Sequence, residues 1–290
     1  MRRRSTGWED EAPSSLVIYR LLALDVDGTV AGKDRRVSSA VRTAVAAAQA
    51  RGVHVTLATG REFRSASRFA RDLGLSAPLI CSQGAVIKDC VTLDVLHHVP
   101  LSGTLAAEAI TMLHDADVCV IASIDDKLHI LRDGPAFASF ARRWGTPDPA
   151  HVVIAPNLAE IIPQTPPTKV MFFGDPSIVD RELARMIDHF GTALEFVRSD
   201  VTVGEMIAPG LSKGIALAML ADTLGVERDQ VIAIGDEEND VPMLQWAGLG
   251  LAMGNAPDSV KRMAHAVIPS VDEDGVAWAI DRYILSETHD

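Results

Sequence analysis

Asp25 and Asp27 stand two positions apart where an apolar run, Leu21-Leu22-Ala23-Leu24, gives way to Gly28-Thr29. A run without a polar face reads as a strand buried on both sides, so the two carboxylates belong to a sharp turn at its carboxyl end. Ligands of open α/β sheets bind at that edge. Two carboxylates projecting into one crevice, about 4 Å apart in an effective dielectric of about 20, repel by about 4 kcal/mol. Something cationic is expected there to offset them. An Asx turn closing a strand accounts for Asp27-Gly28 alone and leaves Asp25 unexplained.

Three further polar clusters follow apolar runs or open helices: Thr59-Gly60-Arg61, Ser212-Lys213-Gly214, and Gly235-Asp236-Glu237-Glu238-Asn239-Asp240. Each alone has a structural reading. Thr59-Gly60 suits a helix-entry turn, Ser212 an N-cap beside a solvated Lys213, and Asp236 to Asp240 an acidic helix start favoured by the dipole. If the strands before them are parallel neighbours, however, all four clusters meet at one edge.

The elements needed for that convergence are legible. From Val17 to Gly84 strand and helix alternate: a strand ending at Asp25, a helix from Ser38, a strand over Val53 to Thr59, a helix over Glu62 to Leu73 and a short strand at Leu79 to Cys81. Val41, Ala44, Val45 and Ala48 fall at i, i+3, i+4 and i+7, with Ser38 as cap and Gly52 past the end, as a βαβ unit with a parallel sheet requires. Between Ala85 and Ala208 the texture changes to short strands, beginning with a hairpin around Asp89 to Asp94, and includes a helix over Ile178 to Phe190. The prolines at 163, 166 and 167 mark a loop. After Pro209-Gly210 the α/β rhythm returns, with a helix from Ser212 to Gly225 and strands at Val231 to Ile234, Gly248 to Met253 and Ala266 to Ile268. The expected fold is α/β: a Rossmann-like, doubly wound parallel-sheet core over residues 16–84 and 209–290, interrupted by an α+β insert over residues 85–208. Residues 1–15 are expected to form a disordered tail.

Composition narrows the function. The 290 residues are 48% hydrophobic and carry a net charge of -12, from 27 Lys+Arg against 39 Asp+Glu. That supports a sizeable core and speaks against a nucleic-acid partner, since phosphate backbones are held by clustered Lys and Arg. Cys81, Cys90 and Cys119 are odd in number and lack the spacing of a disulfide framework or zinc site. Arg20 and Asp25 break the longest apolar stretch, well short of the roughly 18 residues that span a bilayer. A cytoplasmic protein with no membrane partner is expected.

With these clusters in view, the chain resembles the haloacid dehalogenase superfamily of phosphotransferases, in its Cof-type (class IIB), sugar-phosphatase-like branch. The likeness rests on Asp25-x-Asp27-Gly28-Thr29, Ala58-Thr59-Gly60-Arg61, Gly210-Leu211-Ser212-Lys213-Gly214 and Gly235-Asp236-x-x-Asn239-Asp240. It extends through Met243-Leu244, Ala252-Met253-Gly254-Asn255-Ala256 and Asp272-Glu273-Asp274-Gly275. The resemblance implies that the insert is a C2B-type cap choosing the substrate. It makes Asp25 the nucleophile that forms an aspartyl-phosphate, Asp27 the general acid and then base, and Thr59 and Lys213 the partners of the phosphoryl group. Val26, Gly28, Gly60, Arg61 and Asn239 are implied to surround the phosphate, with Arg61 the weakest of these assignments. These roles fit what phosphoryl transfer demands, positioning and charge stabilisation.

Up to four carboxylates, Asp25, Asp27, Asp236 and Asp240, face one Lys213, and a substrate phosphate adds about two more negative charges. A divalent cation is therefore expected, and oxygen ligands without nearby His or Cys select Mg²⁺. By resemblance its ligands are Asp25, the Asp27 carbonyl and Asp236, while Asp240 orients Lys213 or a bound water. Where relatives commonly carry Asn-Gly-Ala, this chain has Ser82-Gln83-Gly84-Ala85, and Gln83 receives no catalytic role. The expected activity is hydrolysis of small phosphorylated metabolites such as sugar phosphates. A phosphomannomutase-like transfer, or a silent binding module on the same fold, stays open at this point.

Overall fold

The structure, a computed structural model, describes residues 18–132, 134–144 and 149–286. The tail expected over residues 1–15 lies outside these. The first part of the chain forms β1 (Leu21–Leu24), β2 (His54–Leu57), β3 (Leu79–Cys81), β4 (Val86–Lys88) and β5 (Val95–His98). The middle forms β6 (Val118–Ile124), β7 (Lys127–Ile130), β8 (Val152–Ile154), β9 (Lys169–Gly174), β10 (Glu195–Asp200) and β11 (Val203–Ile207). The last part adds β12 (Val231–Gly235), β13 (Leu249–Ala252) and β14 (Ala266–Val267).

The core sheet has the order β14-β13-β12-β1-β2, all parallel. β1 is an interior strand between β12 and β2, which is why Leu21 to Leu24 carry no polar side chain and are fully buried. The chain leaves β1 for β2 on one side and, after the middle segment, returns to β12 on the other. That reversal opens a crevice at the carboxyl ends of β1 and β12. The helix Ser39–Ala50 covers one face with Val41, Ala44, Val45 and Ala48 inward, and the Ser38 hydroxyl caps it by accepting from the Val41 amide at 3.1 Å. On the other face, the helix Lys213–Leu224 is capped by Ser212 and ends at Gly225 with φ +64°.

The middle segment forms a second sheet, β10-β11-β9-β6-β7-β8, antiparallel except for the β7/β8 pair. Alternation along its strands separates two faces. Val118, Val120, Ala122, Val170 and Phe172 pack beneath the helices Gly103–Met112 and Pro176–Phe190, whereas Cys119, Ile121, Met171, Phe173 and Val203 gather with Phe140 on the opposite face. This second face looks towards the core crevice.

One boundary differs from the sequence-based expectation. Residues 85–99, counted with the insert, pair with the core instead: β4 is antiparallel to β3, and a parallel bridge between Ala58 and Ile80 ties β3 to the strand that ends at Leu57. The physical reason is burial, because Ile87 packs with Ile80, Leu21 and Ala58 in the core cluster. β8 and the helix Pro135–Trp144 are further elements with no expectation in sequence, being short and irregular in pattern.

Candidate active site

Register brings the distant clusters together. Leu24 is level with Leu57 and with Ile234, so the next residues along each strand emerge at one edge. Asp25 follows β1, Thr59 lies two residues beyond β2, and Asp236 follows β12. Lys213, the first residue of its helix, points beneath them and is 1% exposed. Its Nζ donates to Asp25 Oδ1 at 2.6 Å and to Asp240 Oδ1 at 2.5 Å. Asp240 Oδ2 accepts from the amides of Asp236 and Glu237 at 2.9 and 3.0 Å, so both its oxygens are engaged within the chain. Asp236 accepts from the Thr29 hydroxyl at 2.7 Å and from Asn255 Nδ2 at 3.1 Å.

Asp25, Asp236 and Asp240 are buried, and their ligand oxygens lie within 4.8 Å of one another. Burial pushes Asp25 well above the ordinary carboxylate range; Lys213 pulls the other way, and Asp240, Asp236 and Asp27 add to the rise. Asp236 is pushed up to about 7, chiefly by burial, against the opposing Thr29 hydrogen bond and with help from Asp240 and Glu237. Burial disfavours the charge on Lys213, yet Asp240 and Asp25 outweigh it and hold the ammonium protonated. Three acids thus share one fixed cation. The donor set is oxygen only: Asp240 already accepts three hydrogen bonds and Asp236 one on each oxygen, so a cation could take Asp25 Oδ2, the second lone pairs of Asp236 and the backbone oxygens beside them.

The edge opens into a cavity of about 480 Å³ whose floor includes Asp25, Thr59, Gly60, Gln83 and Asn239 and whose roof comes from the second sheet, including Leu128, Phe140, Lys169, Met171 and Glu205. Such a volume suits a small molecule. The amides of Val26 and Asp27 donate to no group of the described chain. A carboxylate held through one oxygen by an ammonium and open to a cavity is suited to in-line attack on an electrophile.

Residues 22–280 match the haloacid dehalogenase-like hydrolase family. This chain belongs to that family. Within it the hydrolase is of the Cof type, and it is a phosphatase in class. It is 30% identical to a Bacillus subtilis protein named 5-amino-6-(5-phospho-D-ribitylamino)uracil phosphatase YcsE, over 93% of this chain and 97% of that one. It is 27% identical to the pyridoxal phosphate phosphatase YbhA of Escherichia coli, covering 92% and 99% of the two chains. A crystal structure of the Thermotoga maritima protein TM0651 superposes with a TM-score of 0.81 at 25% identity, covering 94% of this chain and 99% of that one.

Three of the residues expected around the phosphate have partners within the chain of the hydrolase. Arg61, expected near the phosphate, directs its guanidinium to Asp27 instead, Nε to Oδ2 and Nη2 to Oδ1, both at 2.6 Å, with Nη1 on Ser65 at 2.8 Å. The planar fork matches a carboxylate better than any other group in reach. The amide of Gly28, a residue implied to surround the phosphate, is engaged with the Ala31 carbonyl at 2.9 Å. What Gly28 permits is the approach of Asp236: a Cβ there would lie 2.1 Å from Asp236 Oδ2, and φ is +91°. Gly28→Ala is therefore expected to cost about 1–3 kcal/mol of stability, the scale of a strained backbone position, and urea unfolding checks it; an unchanged midpoint would refute the close fit. Finally, Asn239 donates to Gln83 Oε1 at 3.0 Å, a side chain given no role from sequence.

Other contributors were out of reach of sequence reasoning. Asn255 bridges Asp236 and the Gly28 carbonyl, at 3.1 and 2.9 Å, from the loop after β13. Its motif was visible, but its target became so only through the register of β12 and β13. Lys169 opens an apolar strand and so reads as a solvated end. It is instead 2% exposed, pairs with Glu205 at 3.0 Å and donates to the Gly60 carbonyl at 2.8 Å, joining the roof to the floor.

Proposed function

We propose that this hydrolase is a cytoplasmic, Mg²⁺-dependent phosphatase that cleaves small phosphorylated metabolites through an aspartyl-phosphate on Asp25. The observation that carries this reading is the buried Asp25–Lys213–Asp240 chain of charge that ends at Asp25 in the floor of the cavity, with Asp27 also lining it. Asp25 Oδ2 attacks phosphorus as the ester oxygen leaves, and Asp27 supplies the leaving oxygen's proton. In the second half, Asp27 takes a proton from water as that water attacks the phosphoryl group and frees Asp25. Arg61 holds the Asp27 carboxylate in one orientation between these duties. Thr59 and the amides of Val26 and Gly60 bind phosphoryl oxygens, and Lys213 offsets the charge that develops on them.

Asp25, Asp236 and the Asp27 carbonyl would hold the cation, with Asp240 fixing Lys213 from behind. Mg²⁺ would supply charge neutralisation and orientation of the phosphoryl oxygens. The segment from Leu101 to Ala208 would exclude water and choose the substrate. Its roof sets an apolar patch of Leu128, Phe140, Met171 and Val203 among charged residues such as Lys169, Arg198 and Glu205, which suits esters with both a flat or apolar part and polar groups. The relatives named for a ribitylaminouracil phosphate and for pyridoxal phosphate put such heterocyclic esters beside sugar phosphates as first substrates to try.

The test is phosphate release from a panel of sugar phosphates, nucleotides and phosphorylated cofactors, run with EDTA and with added Mg²⁺. Release should stop in EDTA and return with Mg²⁺; full activity in a metal-free preparation would contradict the charge count. A parallel hexose 1-phosphate to 6-phosphate assay should show no isomerisation, and isomerisation without phosphate release would replace the phosphatase reading by a mutase.

A further inference from the structure

Gln83 combines features that the chemistry described so far leaves unused. It is 2% exposed and lines the cavity beside Asp25 and Thr59. Its backbone is left-handed at φ +62°, preceded by Ser82 at φ +50° and followed by Gly84 at φ +97°. Two successive non-glycine residues in that region are costly, and such strain persists only where the surroundings over-determine it. The bend interrupts the passage from β3 to β4 and turns the Gln83 side chain towards the site. Its amide N–H donates to the Thr59 carbonyl at 3.2 Å, and Ser82 donates to the Arg61 carbonyl at 2.9 Å, so the bend is fastened to the Thr59-Gly60-Arg61 turn.

The side chain then lies across Gly60. A Cβ on Gly60 would sit 2.4 Å from Gln83 Nε2. The Gly60 carbonyl is fixed from the other sheet by Lys169, so the amide rests on a held surface. Gln83 Oε1 accepts from Asn239 at 3.0 Å, while Gln83 Nε2 and Asn239 Oδ1 are buried with no partner among the described residues. One amide-to-amide hydrogen bond uses one NH₂ group and one carbonyl. One NH₂ donor and one carbonyl acceptor therefore remain unpaired between two residues that line the cavity, and in the arrangement found, with Asn239 donating to Gln83 Oε1, the free donor is Gln83 Nε2. A leucine or methionine would fill the same space without the unmade Nε2 donor, giving up only the acceptor for Asn239. The unmade donor therefore asks for an anionic oxygen.

Resting on the phosphatase reading above, we propose that Gln83 is a phosphoryl-binding residue, donating from its side-chain amide to a nonbridging oxygen of the group presented to Asp25 while Asn239 anchors its carbonyl. A neutral donor is suited to this place. It adds a hydrogen bond to the phosphoryl group without a further charge in a site whose acids and ammonium are already packed together.

The test compares wild type, Gln83→Leu and Gln83→Glu with Mg²⁺ present, using p-nitrophenyl phosphate for turnover and inorganic phosphate and orthovanadate as competitive inhibitors. Gln83→Leu should lose 10- to 100-fold in kcat/KM and weaken both inhibitors by a similar factor, with a melting temperature lowered by no more than the few degrees that loss of one hydrogen bond to Asn239 costs. Gln83→Glu should lose more, because a carboxylate repels the same oxygens. Inhibition within twofold of wild type in both variants overturns the proposal. Should either variant fail to fold, the side-chain amide resonances of Gln83 in ¹⁵N-labelled wild type decide: they should shift on saturation with orthovanadate, and fixed resonances overturn the proposal. A wild type that binds orthovanadate and hydrolyses phosphate esters while Gln83 is indifferent defeats this inference alone. A wild type that neither binds nor hydrolyses defeats the phosphatase reading and this inference with it.

Discussion

Asp25→Asn is expected to abolish phosphate release while leaving the fold intact. The substitution keeps the shape and an oxygen for Lys213 to bond, but an amide cannot form the acyl-phosphate. The loss should be on the order of 10⁶ in kcat, the scale seen when a covalent nucleophile is removed from its catalytic unit. The stability of the variant gives an independent check. In the metal-free protein Asp25 is one of three buried acids around one ammonium, and its removal relieves crowding. Urea unfolding in EDTA should therefore show the variant at least as stable as wild type. Normal phosphate release would end the assignment of Asp25 as nucleophile. A large loss of metal-free stability would show instead that its charge is needed to hold Lys213.

Much of the fold was legible because its signals are local. The helix over Ser39–Ala50 announces itself by four apolar positions and a serine cap, and β1 by an apolar run that only a two-sided burial explains. The families of residues at the sheet edge were legible for the same reason: each sits just past such an element. Pairings between edges were not. That Arg61 reaches Asp27 rather than open solvent depends on the turn after β2 lying beside the turn after β1, which no local pattern encodes. Lys169 and Glu205 are single charges in otherwise apolar strands, with nothing local to pair them; Lys169 reaches both Glu205 and the Gly60 carbonyl only because the second sheet lies over the first. Residues 85–99 were misplaced because a hairpin at a domain junction has equal sequence warrant on either side, and only the packing of Ile87 decides.

The second large effect belongs to Lys213. Replacing it by Met keeps length and volume but leaves Asp25, Asp236 and Asp240 buried with no ammonium. Removing one partner from a buried ion pair typically costs about 3–5 kcal/mol, and the loss here should depend on pH in a definite direction. Asp236 is already held at about 7 in the wild type, against a carboxylate's ordinary value of about 4. An acid whose folded pKa is raised binds a proton that the unfolded chain has given up, so stability falls as pH rises through the interval between the two values. Without metal, wild type should therefore lose stability from about pH 4 to about pH 7, and Lys213→Met more steeply, since the ammonium that opposes the rise is gone. Mg²⁺ should flatten both curves by supplying positive charge. It should not restore turnover to the variant, because the ammonium that offsets charge on the phosphoryl oxygens would still be missing, a deficit on the order of 10²–10³ in kcat. Urea unfolding across that pH range, with and without Mg²⁺, separates the two functions of this lysine. A variant that unfolds like wild type at pH 8 in EDTA would mean that the acids were never charged together, and the case for a resident cation would fall with it.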